Sequence, residues 1–220
     1  MQIAICGAGR MGAAVARLCM NAGHRILLAP GRKSRESPKL AAIEQGVELA
    51  ATLGEAVGQA DIVVLALPWA ARGEALHEWI YFAGKIVVDA MNPYDPYPRI
   101  ADLDGALSSE IVEREIAGAR VVKALNTISA WDLARDAQPP GAARRIAIPL
   151  CGNDPVSKAV VARLIDDIGF DPIDIGRLAS GHLAEPDRPL FGRRWSSARL
   201  LSEYRQRAGL ENYARGAVVA

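Results

Sequence analysis

The stretch Ile3-Ala4-Ile5-Cys6-Gly7-Ala8-Gly9-Arg10-Met11-Gly12 lies near the N-terminus and decides the fold. Its last six residues form the pattern G-x-G-x-x-G, which follows a predicted strand and opens an apolar helix. In that setting the pattern marks a dinucleotide-binding site. Gly7 permits the tight turn, Gly9 lets the backbone approach the pyrophosphate, and Gly12 lets the helix sit against the strand. We therefore predict cofactor contacts from Gly7, Ala8, Gly9, Arg10, Met11 and Gly12, with the pyrophosphate on the free N–H groups of the helix start.

Short β-branched apolar runs alternate with helical segments along the rest of the chain, which predicts an α/β Rossmann fold with a doubly wound parallel sheet. The interiors of the runs are nearly continuous Ile, Val, Leu and Ala, as strands covered on both faces require. The predicted strands are Ile3–Cys6, Arg25–Ala29, Val47–Leu49, Ile62–Leu67, Lys85–Ala90, Val121–Leu125, Ile146–Leu150 and Pro172–Ile175. The predicted helices include Met11–Asn21, Glu55–Gln59, Glu74–Trp79, Ser109–Ile116, Pro155–Ile168 and Ser196–Arg207. Asp154 followed by Pro155 predicts a helix N-cap with proline in the first helical position.

Bulk composition is that of a packed globular protein. Half of the 220 residues are hydrophobic and 23% are charged, and the formal net charge is +1. This charge favours neither nucleic acid nor an anionic membrane as a partner, and the longest apolar run is too short to cross a bilayer. The three cysteines show no C-x-x-C spacing, so we expect neither a metal site nor a disulfide framework. No secretory segment precedes the glycine turn, and we expect a cytoplasmic protein.

The residues after the second predicted strand indicate which dinucleotide binds. An NAD site carries Asp or Glu about 20 residues beyond the glycine pattern, to accept a hydrogen bond from the ribose 2′-hydroxyl. Here the window reads Ala29-Pro30-Gly31-Arg32-Lys33-Ser34-Arg35, without an acid before Glu36. Arg32 can grip a 2′-phosphate bidentately, and Lys33 and Arg35 add positive charge. We predict NADP as the cofactor, bound in part by Gly31, Arg32, Lys33 and Arg35; a solvated basic turn is the alternative.

Three dipeptides follow later strands at the edge where a doubly wound sheet binds its ligand. Leu67-Pro68 and Asn92-Pro93 are predicted to line the path of the ribose and nicotinamide, or else simply to end their strands. Asn126 and Thr127 are predicted as the catalytic residues, through hydrogen bonds to the nicotinamide carboxamide or to the acceptor ring. Their alternative is an ordinary N-cap of the helix that follows.

The sequence resembles the NADPH-dependent deazaflavin (coenzyme F420) reductases, a family of NADP oxidoreductases related to the cytosolic domains of membrane metalloreductases. The more specific markers are the strings Val-Lys-Ala-Leu-Asn-Thr and Gly-Asn-Asp. The resemblance runs through Gly7–Gly12, Gly31-Arg32, Leu67-Pro68, Asn92-Pro93, Val122–Thr127, Cys151–Asp154, Gly169–Pro172 and Leu183–Pro186. The chain departs from the family at Gly31, where a serine is usual, and in the C-terminal segment around Trp195.

The resemblance implies hydride exchange between NADPH and a small-molecule acceptor, a deazaflavin or flavin that acts as an exchangeable co-substrate. It also implies a homodimer, for which the apolar tail Ala217–Ala220 is a candidate contact. We expect residues 1–118 to form the dinucleotide-binding Rossmann domain and residues 119–220 a small C-terminal α/β extension for acceptor binding and dimerisation. Orientation and exclusion of water do most of the work in such a transfer.

Several features leave alternatives open. Only His182, in a glycine-flanked loop, is a candidate among the three histidines for a role in the chemistry. A group of C-terminal arginines is either a site for an anionic acceptor tail or a solvated helix face: Arg188, Arg193, Arg194, Arg199, Arg205 and Arg207. Pyrroline carboxylate reductases and β-hydroxyacid dehydrogenases share the glycine pattern, although both need a substantial helical C-terminal domain. A non-catalytic NADPH sensor is the third alternative.

Overall fold

A computed structural model describes residues 1–29, 46–76, 82–96 and 99–216 of the chain, with side chains up to residue 209. All eight predicted strands are present, in a single sheet of order β3-β2-β1-β4-β5-β6-β7-β8. Their bounds are β1 Gln2–Cys6, β2 Arg25–Ala29, β3 Glu48–Leu49, β4 Ile62–Leu65, β5 Ile86–Asp89, β6 Arg120–Lys123, β7 Ala147–Gly152 and β8 Asp171–Asp174. The predicted α/β Rossmann architecture is confirmed.

The order of the strands reverses direction at β1, which pairs in parallel with β2 on one side and with β4 on the other. In an open α/β sheet the ligand crevice forms beyond the carboxyl ends of the strands at such a switch point. The glycine turn begins directly after β1. The topology therefore positions this turn at the crevice.

One strand departs from the predicted parallel sheet. β7 is antiparallel to β6, through the pairs Val122 with Gly152 and Lys123 with Cys151, while β8 is parallel to β7. An apolar run buried on both faces has the same composition whichever way it points, so its direction cannot be read from the run itself. The sheet continues without a break from β5 to β6, and the division into residues 1–118 and 119–220 stays a prediction.

Helices cover the sheet, and most of the predicted segments are confirmed. The bounds are α1 Arg10–Asn21, α2 Leu53–Gln59, α3 Arg72–Ala75, α4 Ser108–Glu115, α5 Ala130–Asp136, α6 Pro155–Asp167 and α7 Ser197–Gly216, with 3₁₀ turns at Trp69–Ala71 and Leu178–Leu183. Asp154 caps α6 as predicted, because its carboxylate accepts from the Ser157 amide at 2.9 Å. The predicted helix Glu74–Trp79 lies partly outside the described residues, and α5 was not among the predicted helices.

The core has a layer on each face of the sheet. Successive residues of β1 alternate between them: Ile3 and Ile5 pack with α1 on one face, and Ala4 and Cys6 pack on the other. A third cluster joins β7 and β8 to the C-terminal helix α7 through Ile175 and Leu200. Within the parts of the chain that the structure describes, no helix has the length and apolar character needed to cross a membrane.

Candidate cofactor and acceptor site

The glycine turn is built by close backbone approaches. Gly7 has φ +110°, and a Cβ there would lie 2.5 Å from the carbonyl oxygen of Ala66. A Cβ on Gly12 would lie 1.9 Å from the carbonyl oxygen of Gly7. Gly9, by contrast, has nothing within 4 Å of an added Cβ. Two glycines thus hold strand, turn and helix together, while the third leaves open space at the start of the helix.

The first turn of α1 has the properties of an anion site. Gly9 is the N-cap, no side chain caps this helix end, and its first turn contains no acidic residue. The free N–H groups and the positive end of the helix dipole favour a phosphate at this point. Gly9 and Arg10 are exposed, whereas Ala8 is buried and Met11 is half-buried. The turn therefore fits the pyrophosphate of a dinucleotide.

The residues predicted to select NADP lie outside the described part of the chain. Gly31, Arg32, Lys33 and Arg35 all belong to the stretch between residues 29 and 46. Their role stays a prediction.

The other predicted site residues lie along the same edge of the sheet as the glycine turn. Backbone hydrogen bonds continue the parallel ladder past the strand ends, from Ala66 N to Cys6 O at 2.9 Å and from Ala90 N to Leu65 O at 3.2 Å. A further bond joins Ala124 N to Asp89 O at 3.3 Å. The three dipeptides that follow β4, β5 and β6 are therefore neighbours: Leu67-Pro68, Asn92-Pro93 and Asn126-Thr127.

Asn92 and Asn126 form a hydrogen-bonded pair. Asn92 donates its Nδ2 to the Asn126 backbone oxygen at 2.9 Å, and Asn126 donates its Nδ2 to Asn92 Oδ1 at 3.1 Å. Asn126 also donates to the carbonyl oxygen of Ala184 at 2.8 Å. The helix-cap alternative for Asn126 and Thr127 is wrong, because Ser129 caps α5 by accepting from the Asp132 amide.

A buried ion pair lies directly before these asparagines and was missed by the sequence reasoning. Lys123 Nζ donates to Asp89 Oδ2 at 3.0 Å, to the Met91 carbonyl at 2.7 Å and to Ser108 Oγ at 3.1 Å. Asp89 also accepts from Ser109 Oγ and from the Met91 amide. Both charged residues are fully or almost fully buried, at 0% and 1% exposure.

The sequence does contain a signal for this pair. Asp89 and Lys123 are the last residues of neighbouring parallel strands and stand opposite each other in register. Opposite charges at matching ends of two otherwise apolar runs indicate a buried pair. The pair ties the β5 loop to the β6 loop, and so fixes the two asparagines relative to each other.

Leu125 separates the ion pair from Asn126 and has φ +65°, in the left-handed region that a leucine rarely adopts. It is also buried. Backbone strain of this kind persists where the surrounding structure holds it, and it concentrates at functional sites.

The segment of residues 184–192, here called the C-terminal strap, lies against the same edge. Besides the bond from Asn126 to Ala184, the Gly192 amide donates to the Thr127 carbonyl at 3.0 Å. The Ser108 amide donates to the Glu185 carboxylate at 2.7 Å. Partial burial and the charge of Asp187 in the strap raise the pKa of Tyr94, which lies in the loop after β5.

A pocket of about 700 Å³ opens beside the strap. It is lined by Asp187, Arg188, Pro189, Phe191, Arg193, Trp195, Glu203 and Arg207. Three of the six C-terminal arginines line this pocket, Arg194 pairs with Asp136 at 2.6 Å, Arg199 pairs with Glu203, and Arg205 is exposed outside the pocket lining. Arg193 also stands 5.7 Å from the Trp195 ring.

Other candidate groups do not form a catalytic cluster in the described residues. His182 is half-buried in the 3₁₀ turn, with Nδ1 2.7 Å from the Ala179 carbonyl oxygen. Burial raises the pKa of each cysteine thiol to about 12. A search of the described residues finds no group of His, Cys, Asp and Glu suited to a metal ion.

Comparison with known proteins agrees with this architecture. The family model of the NADP oxidoreductases, coenzyme F420-dependent, matches residues 2–93. The crystal structure of a hypothetical protein from Sinorhizobium meliloti is 35% identical with a TM-score of 0.79, and the match covers 89% of this chain and 95% of that one. A proposed F420-dependent NADP reductase from Arthrobacter is 28% identical, with a TM-score of 0.71 and coverage of 82% and 87%.

Among curated proteins, metalloreductase STEAP3 of Rattus norvegicus is 27% identical over 84% of this chain and 36% of its own length. The chain spans about a third to a half of the length of the curated relatives it matches. A pyrroline carboxylate reductase of Plasmodium falciparum, 15% identical with a TM-score of 0.56 over 79% of this chain and 57% of its own, shows only that the fold is shared.

The fold and the glycine turn define a Rossmann oxidoreductase. The chain belongs to the family of NADP oxidoreductases described as coenzyme F420-dependent.

Proposed function

We propose that this protein transfers hydride between NADPH and an exchangeable flavin-like or deazaflavin ring. The observation that carries the proposal is the position of the pocket. The C-terminal strap that lines it is also hydrogen-bonded to Asn126 and Thr127 at the edge where a Rossmann fold holds its nicotinamide. The strap is the link between the pocket and this edge, and we infer that an acceptor ring bound beside the strap reaches the nicotinamide end of the cofactor.

NADPH supplies the hydride, and the chain supplies binding and orientation. The start of α1 would hold the pyrophosphate, and the loops after β4, β5 and β6 would line the rest of the path. Hydride transfer between two rings needs close, aligned placement and a dry contact rather than a side-chain acid–base pair. The site accords with this requirement, because Asp89 and Lys123, which lie directly before the two asparagines in the chain, are buried and bonded to each other.

The charge of the pocket supports an anionic acceptor. Three arginines line it, Arg188, Arg193 and Arg207, against two acidic residues, Asp187 and Glu203, of which Glu203 pairs with Arg199. Guanidinium groups bind phosphates and carboxylates through charge-assisted hydrogen bonds, and the rings of Phe191 and Trp195 offer apolar surface. Flavin and deazaflavin cofactors combine a planar ring with a phosphate-bearing side chain, so they match both properties.

Two other functions stay as alternatives. A pyrroline carboxylate or imine reductase, or a hydroxyacid dehydrogenase, would use the same NADP site with a small substrate. A non-catalytic NADPH sensor would bind the cofactor and reduce nothing. The pocket favours the flavin-like acceptor, because its lining combines arginines with aromatic rings, and a small imine or keto acid has no phosphate for those arginines to bind.

The test is NADPH oxidation with deazaflavin, free flavins, ferric chelates, imines and short keto acids as separate acceptors. Turnover with imines or keto acids alone would refute the proposal. Tight NADPH binding without any turnover would favour the sensor.

A pair of variants tests the pocket itself. Arg207→Glu should raise the acceptor KM by about tenfold, the effect of one lost charge-assisted contact, and leave the Kd of NADPH unchanged. Arg205→Glu is the matched control, because Arg205 is on the same helix outside the pocket lining. Equal acceptor KM values for the two variants would show that the pocket is not part of the acceptor site.

We also propose a cytoplasmic homodimer without nucleic-acid or membrane partners. The support is the family and the near-neutral charge of the chain. The tail Ala217–Ala220 lies outside the described residues. A monomer mass by light scattering at micromolar concentration would refute the dimer.

A further inference from the structure

Asn126 contains a buried hydrogen-bond acceptor without a partner in the described structure. Its side chain is 2% exposed, and Oδ1 makes no hydrogen bond. Buried polar atoms are almost always paired, so an exception at the edge of a binding crevice points to a function.

The orientation of this amide is determined by its neighbours. The Nδ2 group donates both to Asn92 Oδ1 and to the Ala184 carbonyl oxygen. A flipped amide would place its oxygen against two other oxygens that can only accept. The unpaired atom is therefore the oxygen, and its complement must be a donor.

Neighbouring residues hold Asn126 in place although its Oδ1 atom is buried without a partner. Leu125, next in the chain, keeps a left-handed backbone, and Lys123 is bound to Asp89, Met91 and Ser108. A position with both an unpaired acceptor and a strained neighbour is not what packing alone selects.

We propose that Asn126 Oδ1 accepts a hydrogen bond from an amide-type N–H of a bound redox partner, and so determines specificity. Two groups of this chemistry come to the site under the proposed function, on which the inference rests. One is the carboxamide of the nicotinamide, and the other is the ring imide N–H of a flavin or deazaflavin. An acceptor in this position rejects a ligand that lacks the donor, because the oxygen then stays unpaired beside it.

Access to Oδ1 requires a small movement, since the atom is covered. The C-terminal strap is bonded to Asn126 through Ala184 and to Thr127 through Gly192. A shift of the strap on ligand binding would uncover the oxygen and exchange an unpaired acceptor for a paired one.

The test measures binding by calorimetry, independently of turnover. One pair of ligands is NADP⁺ and its 3-acetylpyridine analogue, which has no carboxamide N–H. The other pair is FMN and N3-methyl-FMN, measured on the protein saturated with NADP⁺. The wild type is expected to bind the donor-lacking member of one pair at least about tenfold more weakly. The pair that shows the difference identifies the source of the N–H.

Variants connect that difference to Asn126. In Asn126→Ala the two members of the discriminated pair should bind within about twofold of each other, a residual difference of a few tenths of a kcal/mol. Asn153→Ala is the control and should keep the full discrimination, because Asn153 bonds Glu113 and Leu178 instead. Thermal unfolding of each variant verifies that it is folded, and the wild-type comparison stands without any variant.

Two results overturn the inference separately. Equal binding of both members of both pairs by the wild type would mean that an internal water satisfies the oxygen. If Asn126→Ala still distinguishes the two members of a ligand pair, the discrimination comes from another residue. A protein that binds no NADP⁺ at all would instead refute the proposed function, and this inference with it.

Discussion

The two ends of the crevice are built in different ways. At the glycine turn the backbone makes the site: Gly7 and Gly12 allow contacts that no Cβ permits, and the anion site consists of free N–H groups. At the other end, which we propose receives the acceptor and here call the acceptor end, side chains make the site through the Asp89–Lys123 pair, the two asparagines and the arginines of the pocket.

The difference determines how each end tolerates change. A backbone site depends on the absence of a Cβ at particular positions, here Gly7 and Gly12. A side-chain site depends on partners from distant parts of the chain, and the loss of one partner leaves the other unpaired. The predictions below test that distinction, from the largest expected effect to the smallest.

Lys123→Met should be the most damaging substitution. It leaves the Asp89 carboxylate buried without its counter-ion, and breaking a buried pair from one side costs roughly 3–5 kcal/mol. Urea denaturation measures the free energy of unfolding. The control is Lys85→Met, because the Lys85 Nζ donates to uncharged carbonyl oxygens near the surface, at Gly58 and Ala60. Similar losses of unfolding free energy in both variants would show that the buried ion pair contributes no more to stability than the hydrogen bonds of Lys85.

Gly12→Ala should damage the backbone site. The new Cβ would lie 1.9 Å from the Gly7 carbonyl oxygen, so the turn must shift. We expect a loss of roughly 1–3 kcal/mol in stability and no measurable NADPH binding by calorimetry. Gly58→Ala on α2, where an added Cβ meets nothing within 4 Å, should leave binding intact. Normal NADPH affinity in Gly12→Ala would contradict the close-packed turn.

Arg32→Glu should change specificity rather than stability. The sequence predicts that NADPH binds at least about tenfold more tightly than NADH, because we expect Arg32 to bind the 2′-phosphate and the window from Ala29 to Arg35 contains no acid. Loss of one charge-assisted contact, worth roughly 1.5–3 kcal/mol, should remove most of that preference. Calorimetry with both cofactors measures this preference, and equal affinities in the wild type would contradict the prediction.

The smallest effect is expected from thiol reagents. Burial raises the pKa of Cys6, beside the glycine turn, and of Cys151, at the acceptor end, to about 12. A thiol with that pKa is almost wholly protonated at pH 7.5, and only the thiolate reacts. Iodoacetamide should therefore modify neither cysteine in the folded protein and both in urea, as mass spectrometry would show. Rapid labelling of one in the folded state would show that its end of the crevice opens.

Local sequence patterns predicted most of the fold and, of the candidate site, the glycine turn. The eight strands and the glycine turn could be recognised because each is specified by residues adjacent in sequence. The direction of β7 could not, since a fully buried apolar run has no marked polarity. α5 was missed, although Ser129 with Asp132 three residues later is a cap signal of the usual kind.

The sequence by itself determined the dinucleotide turn, because its function resides in what six consecutive residues allow the backbone to do. Only the tertiary structure decided the acceptor end. It brings Asp89 against Lys123, pairs Asn92 with Asn126 and lays the strap beside them, across 34 residues or more of chain. Such contacts depend on which strands become neighbours and in which register. That choice is made by burial over the whole sheet rather than by any local stretch of residues.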